Sequence, residues 1–482
     1  MKRLNGMDAM LLYSETPNLH THTLKVAIVN AADFTDTYGH PYSFDDFRRT
    51  IARRMHLLEP LRYRLVDIPF QLHHPMWLEN CNVDLDYHVR RVNVPSPGGR
   101  RELDIVIGDI ASTPLDRRYP LWEFYFAEGM ADDRFALIGK VHHTLADGVA
   151  SANLLARLMD LVGSDHDEQD SYPTCGNPTR AELLREAGRD HMHQVAAIPS
   201  LVSDAVRGAI RLRKHSRDRP EDAELAKMFD NPPTFLNHLV SPGRTFATAS
   251  LSLAQVKETA RHLGVTFNDI VLSMAAGGLR ELQLRYDGRA DRPIMASVPV
   301  STDRSPDRVT GNEISGLAVS LPVHIDDPLE RVRLTALASA RAKESSELLG
   351  PRLPGRLMEY LPSAFAPTAF RWQARRADHN MMMNVAVSSV AGPREQGHLG
   401  GAPVTEIYSV GVLSAGSAFN MTVWSYVDQV DISVLSDDRT FDDVHEATDA
   451  MVHGLAEIRR AAGLPDELET LDTAMGPAPA AG

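Results

Sequence analysis

The fold of this chain is decided by the stretch FALIGKVHHTLADG, residues 135–148. Residues 135–141 predict a buried β-strand, because they form a short run rich in aliphatic and aromatic side chains. Asp147 predicts the cap of a helix, since the apolar residues over 149–162 recur at helical spacing. The stretch is therefore predicted to fold as a strand, a short turn and a helix.

Two histidines and an aspartate make this turn the strongest candidate site in the chain. His142 and His143 end the predicted strand, where consecutive side chains point to opposite faces, so one ring can enter a cleft while the other packs inward. A neutral imidazole takes a proton from a bound hydroxyl, amine or thiol near pH 7, which is general base catalysis. We assign Asp147 to structural support through hydrogen bonds or an arginine pair, and Gly148 to a tight backbone between strand and helix.

Two other interpretations of the histidine pair are open at this point. Both rings can be structural and satisfied at the end of the strand, or the pair can be half of a metal site. Two adjacent histidines of one strand do not easily bind the same metal ion, and no HExxH pattern or third carboxylate stands at a useful spacing, so we expect no metal. The sequence has no GxSxG, Walker or Rossmann pattern, which favours direct transfer in a ternary complex over a covalent serine intermediate.

Length and composition limit the classes of protein that fit. At roughly 150 residues a domain, the 482 residues correspond to about three domains or two large ones. A net charge of −14 argues against non-specific binding of nucleic acid, which needs a basic surface. No apolar run approaches the roughly 18 residues of a membrane span. The two cysteines, Cys81 and Cys175, lie far apart and suggest neither a metal site nor a disulfide framework, so we expect a reducing, cytoplasmic compartment.

Strands and helices mix on both sides of a turn-rich stretch, which predicts a mixed α/β (α+β) fold in two halves. We place the first half at 1–165, a partly helical crossing linker at 166–243, the second half at 244–470 and a disordered tail at 471–482. Within the second half, apolar patterns predict a helix over 330–349 and a single strand over 420–435.

The HHxxxDG pattern of residues 142–148 resembles the coenzyme A-dependent acyltransferase superfamily, which includes chloramphenicol acetyltransferase and the condensation domains of peptide synthetases. Further segments follow in the order of one branch: LNGMDAML at 4–11, PMW at 75–77, PSPGG at 95–99, PLDRRYPLW at 114–122, ND at 268–269, GN at 311–312, GP at 392–393 and NMT at 420–422. On these motifs the chain is identified as a member of the bacterial wax ester synthase/diacylglycerol acyltransferase family over residues 4–460.

The resemblance implies two chloramphenicol-acetyltransferase-like halves with an active-site tunnel between them. It implies that His143 is the general base of an O-acyltransferase. This enzyme would move a long acyl group from acyl-CoA, a co-substrate and not a permanently bound cofactor, to diacylglycerol. The alternatives are a wax ester synthase that uses fatty alcohols or another lipid acceptor, and a catalytically inactive lipid-binding or lipid-droplet protein. Gly148, Asn268 and Asp269 are candidates for substrate contact, with a helix cap or an interdomain hydrogen bond as the alternative for Asn268 and Asp269.

Two positions depart from the family pattern. The sequence has SVAGP at 389–393 where the family usually has NVPGP, and Tyr119 where it often has arginine. We expect both substitutions to affect structure and not catalysis, since the HHxxxDG stretch is intact.

Two surface properties follow from the implied substrates. Coenzyme A carries phosphates, so we expect a local basic mouth of the tunnel within this acidic protein. Residues 350–380 combine aromatic side chains with arginines, a composition that suits contact with a membrane or a lipid droplet. An ordinary pair of packing helices is the favoured interpretation of that segment. Localisation is expected to be cytoplasmic, with peripheral contact at the inner face of the membrane or on lipid droplets as the open alternative.

Overall fold

The computed structural model describes residues 1–31, 42–159, 176–217, 224–227, 229–377 and 382–470. The tail predicted at 471–482 lies outside these residues. The described ranges contain helices and strands in both halves of the chain, so the predicted mixed α/β fold in two halves is confirmed.

The elements are as follows. Twelve α-helices lie in the described ranges: α1 (Gly6–Ser14), α2 (Phe44–Arg54), α3 (Leu85–His88), α4 (Arg100–Ser112), α5 (Gly148–Leu158), α6 (Arg180–Arg217), α7 (Leu253–Leu263), α8 (Phe267–Tyr286), α9 (Pro328–Leu349), α10 (Leu353–Met358), α11 (Ala366–Ala374) and α12 (His445–Ala461). The same ranges hold fifteen strands: β1 (Lys2–Arg3), β2 (His22–Asn30), β3 (Arg64–Val66), β4 (Met76–Leu78), β5 (Val89–Asn93), β6 (Trp122–Glu128), β7 (Arg134–His142), β8 (Arg244–Ser252), β9 (Ile294–Ser301), β10 (Ile314–Leu321), β11 (Val385–Ala391), β12 (His398–Leu399), β13 (Ala402–Val410), β14 (Phe419–Tyr426) and β15 (Gln429–Asp437).

The first half is built on a six-stranded sheet in the order β12-β13-β2-β7-β6-β5. Successive side chains of a strand point to opposite sides of a sheet, and in β7 the side chains on both sides are apolar. Leu137 packs into a core shared with α2 and α5, whereas Ile138 packs into a second core with α4. Strand β7 and helix α5 confirm the predicted strand, turn and helix around the two histidines.

Two strands of this first sheet, β12 and β13, come from late in the sequence. Strand β13 pairs antiparallel with β2, with Tyr408 opposite Val26. The chain therefore leaves the second half to complete the sheet of the first half. The division of the chain at residues 166–243 stays a prediction.

The second half is built on a six-stranded sheet in the order β10-β9-β11-β14-β15-β8. Helix α8 is buried without interruption over 269–279, so it is a core helix and not an amphipathic surface helix. Helices α9 and α12 pack against it. The helix predicted over 330–349 is confirmed by α9.

The single strand predicted over 420–435 is wrong. The structure forms a hairpin of β14 and β15 there, with Tyr426 opposite Gln429. The chain turns at Val427, whose φ of 52° lies in the left-handed region. The turn contains neither glycine nor proline, the residues by which a sequence usually marks a turn.

The crossing segment is more regular than predicted. It contains α6, a single helix of 38 residues that lies against α9 and α10. Several apolar side chains of α6 are exposed, among them Met192 and Ile210. Among the described residues, no helix is both long and apolar enough to cross a membrane.

The expectation for the cysteines is wrong at Cys81, which is disulfide-bonded. Cys175 lies outside the described residues. Sequence separation alone says little about which cysteines meet in space, because spatial pairing depends on the fold.

Candidate active site

The site begins where β7 ends beside the start of β2. The backbone N–H of His143 donates to the carbonyl of Thr21 at 2.8 Å, which continues the pairing of the two strands. The N–H of Leu145 donates to the carbonyl of His142 at 3.0 Å and closes the turn. Helix α5 starts three residues later at Gly148. The two histidines are therefore fixed by sheet pairing on one side and by a tight turn on the other.

His142 points into the protein and is fully buried. Its Nδ1 accepts a hydrogen bond from the backbone N–H of Thr144 at 3.2 Å, so Nε2 is the ring nitrogen that carries a proton. That Nε2 lies 2.9 Å from Oγ1 of Thr21 and 3.6 Å from a carboxylate oxygen of Glu15. These contacts are those of a satisfied structural histidine.

Glu15 ties this buried ring to the motif PLDRRYPLW. The Arg117 guanidinium donates to the Glu15 carboxylate at 2.6 Å and to the carbonyl of Leu12 in α1 at 2.9 Å. Burial raises the pKa of Glu15, but the imidazole of His142 and the guanidinium of Arg117 outweigh it and lower the pKa to about 2. Glu15 is therefore an anion at neutral pH and anchors the start of the chain to the histidine turn.

His143 points to the opposite face of the strand and is half-buried. Its Nδ1 is completely covered, so Nε2 is the nitrogen that can meet a substrate. Burial lowers the pKa of His143 below its ordinary value, and the ammonium of Lys25 acts in the same direction, while the carboxylate of Asp147 opposes them. The ring is therefore a neutral base near pH 7.

Asp147 links the turn to the second half of the protein. Its carboxylate caps α5 by accepting from the N–H of Ala150 at 3.0 Å. One guanidinium nitrogen of Arg308 donates to both carboxylate oxygens at 2.9 Å, and the N–H of Glu313 donates to the second oxygen at 3.0 Å. The carboxylate is almost completely buried, so all of its contacts are with protein groups and none is left for a substrate.

Asn312 and Asp8 belong to the site although the sequence analysis did not assign them. The Asn312 side-chain amide donates to the backbone carbonyl of His143 at 2.7 Å and to Asp8 at 2.8 Å. The side chain of Asn5 completes the network by donating to the backbone carbonyl of Asn312 at 3.1 Å. Burial raises the pKa of Asp8 to about 7. Asp8 lies in the family motif LNGMDAML and Asn312 in the family motif GN. Membership of these motifs is the feature of the sequence by which the two residues could have been assigned to the site.

The remaining candidates for substrate contact have structural partners. The carboxylate of Asp269 accepts from the hydroxyl of Thr266 at 2.6 Å in a capping box at the start of α8, which is the alternative stated for this residue. Asn268 is half-buried beside it. A Cβ atom at Gly148 would lie 3.1 Å from a methyl group of Val390, so α5 packs closely against β11. Contact of these residues with a substrate stays a prediction.

The two departures from the family pattern lie in different surroundings. In the SVAGP stretch the departing residues are Ser389, which is half-buried in β11, and Ala391, which is exposed at the end of that strand. Tyr119 stacks on Tyr87 with ring centroids 3.8 Å apart. None of these three residues belongs to the histidine network among the described contacts.

The fold and the histidine turn together define a class of protein. The first condensation domain of the calcium-dependent antibiotic synthetase matches 98% of this chain and 99% of its own, with a TM-score of 0.58 at 15% identity. At that identity the likeness shows the fold alone. The two-halved architecture is therefore a fold that this chain shares with that condensation domain.

The family follows from closer comparisons. Residues 4–271 match the wax ester synthase/diacylglycerol acyltransferase catalytic domain, and residues 310–459 match the C-terminal domain of the same family. A wax ester synthase/diacylglycerol acyltransferase from Marinobacter aquaeolei VT8 is similar over 96% of this chain and 100% of its own, with a TM-score of 0.65 at 25% identity. The chain belongs to the wax ester synthase/diacylglycerol acyltransferase family.

Two sequence relatives place it more closely within that family. A Mycobacterium tuberculosis H37Rv protein, proposed by its name to be a diacylglycerol O-acyltransferase, is 52% identical over 99% of this chain and 100% of its own length. The O-acyltransferase WSD of Acinetobacter baylyi is 29% identical over 75% of this chain and 78% of its own. This chain is accordingly an O-acyltransferase of the kind that acylates lipid alcohols.

Proposed function

We propose that this protein transfers a long-chain acyl group from acyl-CoA to the free hydroxyl of diacylglycerol, with His143 as the general base. The observation that carries the proposal is the contrast between the two rings of the motif. His142 is enclosed by protein partners, whereas His143 keeps Nε2 for a substrate and has a lowered pKa. The high identity to the Mycobacterium tuberculosis relative favours diacylglycerol as the acceptor.

The chemistry requires one proton to move twice. Nε2 of His143 takes the proton of the acceptor hydroxyl as that oxygen attacks the carbonyl carbon of the thioester. The tetrahedral intermediate carries a negative charge on the former carbonyl oxygen. When it collapses, the carbon–sulfur bond breaks, the ester is released and the coenzyme A thiolate takes the proton from Nε2. The imidazole returns to its neutral form, and no bond to the protein is made.

A cationic cavity of about 480 Å³ is our candidate for the phosphates of coenzyme A. It lies between α6, α9 and β10, and Arg211, Lys343 and Arg352 contribute to its wall. These three cations form no hydrogen bond or ion pair within the described residues, whereas Arg356 beside them is paired with Asp204 at 2.7 Å. Unpaired cations in a concavity suit an anionic ligand.

The position of this cavity relative to the histidines supports the same assignment. Its wall includes Ser301, the last residue of β9, and Thr302, which begins the loop that carries Arg308 to Asp147. The N–H of Thr302 donates to the carbonyl of Glu313, so this loop returns beside the cavity before it meets the turn. A ligand bound there would sit on the active-site side of the second half.

We also propose peripheral contact with a membrane through an apolar face formed by Phe70, Leu72, Met192, Phe365 and Trp372. Phe365 and Trp372 are 74% and 58% exposed. The hydroxyl of Ser363 donates to the carbonyl of Gln71 at 2.6 Å, which brings the Phe70 turn beside α11. Arg371 of α11 stands next to Trp372 in the chain, and the guanidinium of Arg376 lies 5.0 Å from the ring centroid of Trp372. Cations beside exposed aromatic residues suit an anionic lipid surface.

Two of the comparisons name a second acceptor class. The family match and the Marinobacter structure both carry the name wax ester synthase, so a fatty alcohol is the competing acceptor. The deciding experiment offers purified protein one long-chain acyl-CoA with an equimolar pool of diacylglycerol and fatty alcohol, and identifies products by mass spectrometry. Triacylglycerol as the main product is expected. Wax ester as the main product would replace diacylglycerol by the alternative, and acyl-CoA bound without turnover would leave a lipid-binding protein.

A further inference from the structure

Lys25 is a cation in the wall of an apolar cavity. The cavity lies inside the first half, between the sheet and helices α2 and α5. Its wall is made mainly of leucine and phenylalanine side chains, including Phe47, Phe124, Leu137 and Leu155. A narrow apolar space of this kind suits a hydrocarbon chain.

The pairing of this ammonium within the protein is incomplete. Lys25 donates to the hydroxyl of Ser409, and its Nζ lies 5.0 Å from the ring centroid of Trp424. A lysine ammonium has three donors, and within the described contacts only one of them has a hydrogen-bond acceptor. No carboxylate of the described residues lies within ion-pair distance of it. A half-buried ammonium without an ion pair is costly, and only the more distant carboxylate of Asp147 favours its charged form, so a structural role alone does not account for it.

The strand register places Lys25 on the face that carries His143. Lys25 of β2 stands opposite Gly139 of β7, and Gly139 precedes His143 by four residues on a strand whose alternate side chains share a face. A Cβ atom at position 139 would lie 2.9 Å from the ring of Phe124, so the glycine lets this ring of the cavity wall approach the strand beside the lysine. The ammonium is close enough to His143 to act on its titration.

We propose that Lys25 donates a hydrogen bond to the thioester carbonyl of acyl-CoA, while the acyl chain lies in the apolar cavity beside it. The inference rests on the proposed function, since it names a group that binds the same substrate. As the acceptor oxygen attacks, the carbonyl oxygen gains negative charge and the ammonium stabilises it. Lys25 keeps its proton throughout, and the charge returns to the departing thiolate when the ester carbonyl forms again.

A positive group aimed at this oxygen is the element that the histidine network lacks. His143 handles the proton of the acceptor, and Asn312 and Asp147 are held by protein groups. Donors aimed at a developing oxyanion in a dry site supply a large part of the catalysis in acyl transfer. Burial lowers the pKa of Lys25 to about 8, so the side chain is still a cation at neutral pH.

The experiment compares Lys25→Met with Lys257→Met, an exposed lysine of α7 that serves as the control. We expect kcat of Lys25→Met to fall by about 10²-fold, the effect of losing one oxyanion donor, with little change in KM for acyl-CoA. The control variant keeps the wild-type kcat. Equal kcat values for the two variants would overturn the proposal.

A second measurement does not depend on turnover. A ketone analogue of acyl-CoA, with a methylene group between sulfur and an isotopically labelled carbonyl, is bound to each variant and its carbonyl stretch is recorded by infrared spectroscopy. We expect a lower frequency in the wild type and Lys257→Met than in Lys25→Met. The same frequency in all three would overturn the role of Lys25, whereas wild-type protein that lowers the frequency but turns over no acyl-CoA would count against the proposed function and not against Lys25. Should Lys25→Met fail to fold, Ser409→Ala tests the same point, with a smaller loss of kcat expected and an unchanged kcat overturning the proposal.

Discussion

The side-chain amide of Asn312 donates a 2.7 Å hydrogen bond to the backbone carbonyl of His143, across 169 residues of sequence. The same amide donates to Asp8, so three distant segments meet at one group. The carbonyl that is held belongs to His143, the residue that we propose as the general base. A residue of the second half therefore holds the backbone of this proposed base in the first half.

Removal of this contact is expected to impair catalysis more than folding. Asn312→Ala leaves the carbonyl of His143 without its buried donor, and a shift of about 1 Å at a reacting group lowers kcat by about 10²-fold. The matched control is Asn153→Ala, which removes two hydrogen bonds from Asn153 to the carbonyls of Ser305 and Arg308 but touches neither histidine. Steady-state kinetics and thermal unfolding of both variants test this. Similar kcat values in the two variants would contradict the positioning role.

The pair of Arg308 and Asp147 is expected to dominate the stability of the contact between the halves. Its side chains are 10% and 1% exposed, so Arg308→Met leaves a buried carboxylate without its cation. We expect the free energy of unfolding to fall by about 3–5 kcal/mol, the usual effect of breaking a buried pair from one side.

The control for this prediction is Arg292→Met, which breaks an exposed pair with Asp230. Exposed pairs contribute about 0–1 kcal/mol, so this variant is expected to unfold almost as the wild type does. Urea unfolding of both variants gives the comparison. A loss at Arg308 no larger than the loss at Arg292 would show that the buried pair is not a structural link.

Asp8 is expected to make stability depend on pH. Its pKa is about 7 in the folded protein against an ordinary value of 3.8, so between these two values the folded state binds more protons than the unfolded state. The free energy of unfolding contributed by this group is therefore highest below pH 3.8, falls as the pH rises towards 7 and is constant above it. Asp8→Asn removes the titration. The difference in unfolding free energy between wild type and variant, measured from pH 4 to 8, should follow this curve, and a flat difference would contradict it.

The apolar face is expected to bind anionic membranes. In a flotation assay with vesicles of phosphatidylcholine and phosphatidylserine, the wild type floats, and Phe365→Ser with Trp372→Ser lowers the bound fraction, because two exposed aromatic anchors are lost. Ile105→Ser is the control, since Ile105 is 58% exposed on α4 and lies outside the apolar face. Equal flotation of the double variant and the control would exclude this face as the contact.

The local part of the site could be predicted from the sequence. The strand over 135–141, the turn and the capping aspartate depend on residues within a few positions of one another, and local propensities act at that range. The sequence predicted a structural role for Asp147 through hydrogen bonds or a pair with an unspecified arginine. The sequence did not identify Arg308 as that arginine, because the two residues are 161 positions apart.

The other parts of the site depend on the fold. Asn312 and Asp8 are 304 residues apart, and Lys25 reaches Ser409 across 384, so no spacing links them. The hairpin of β14 and β15 was missed because its turn at Val427 uses ordinary residues. Lys25 is in addition a polar residue inside an apolar strand. The role that we propose for it depends on its strand register with Gly139, which places it on the face of His143.

The central claim is that His143 is the base of an acyl transfer from coenzyme A. The most direct test is release of coenzyme A from long-chain acyl-CoA in the presence of diacylglycerol, for wild type, His143→Ala and the exposed control His398→Ala. We predict that His143→Ala lowers the rate at least about 10²-fold, as loss of a general base does, while the control keeps the wild-type rate. A His143→Ala protein that is folded and releases coenzyme A at nearly the wild-type rate would contradict the account.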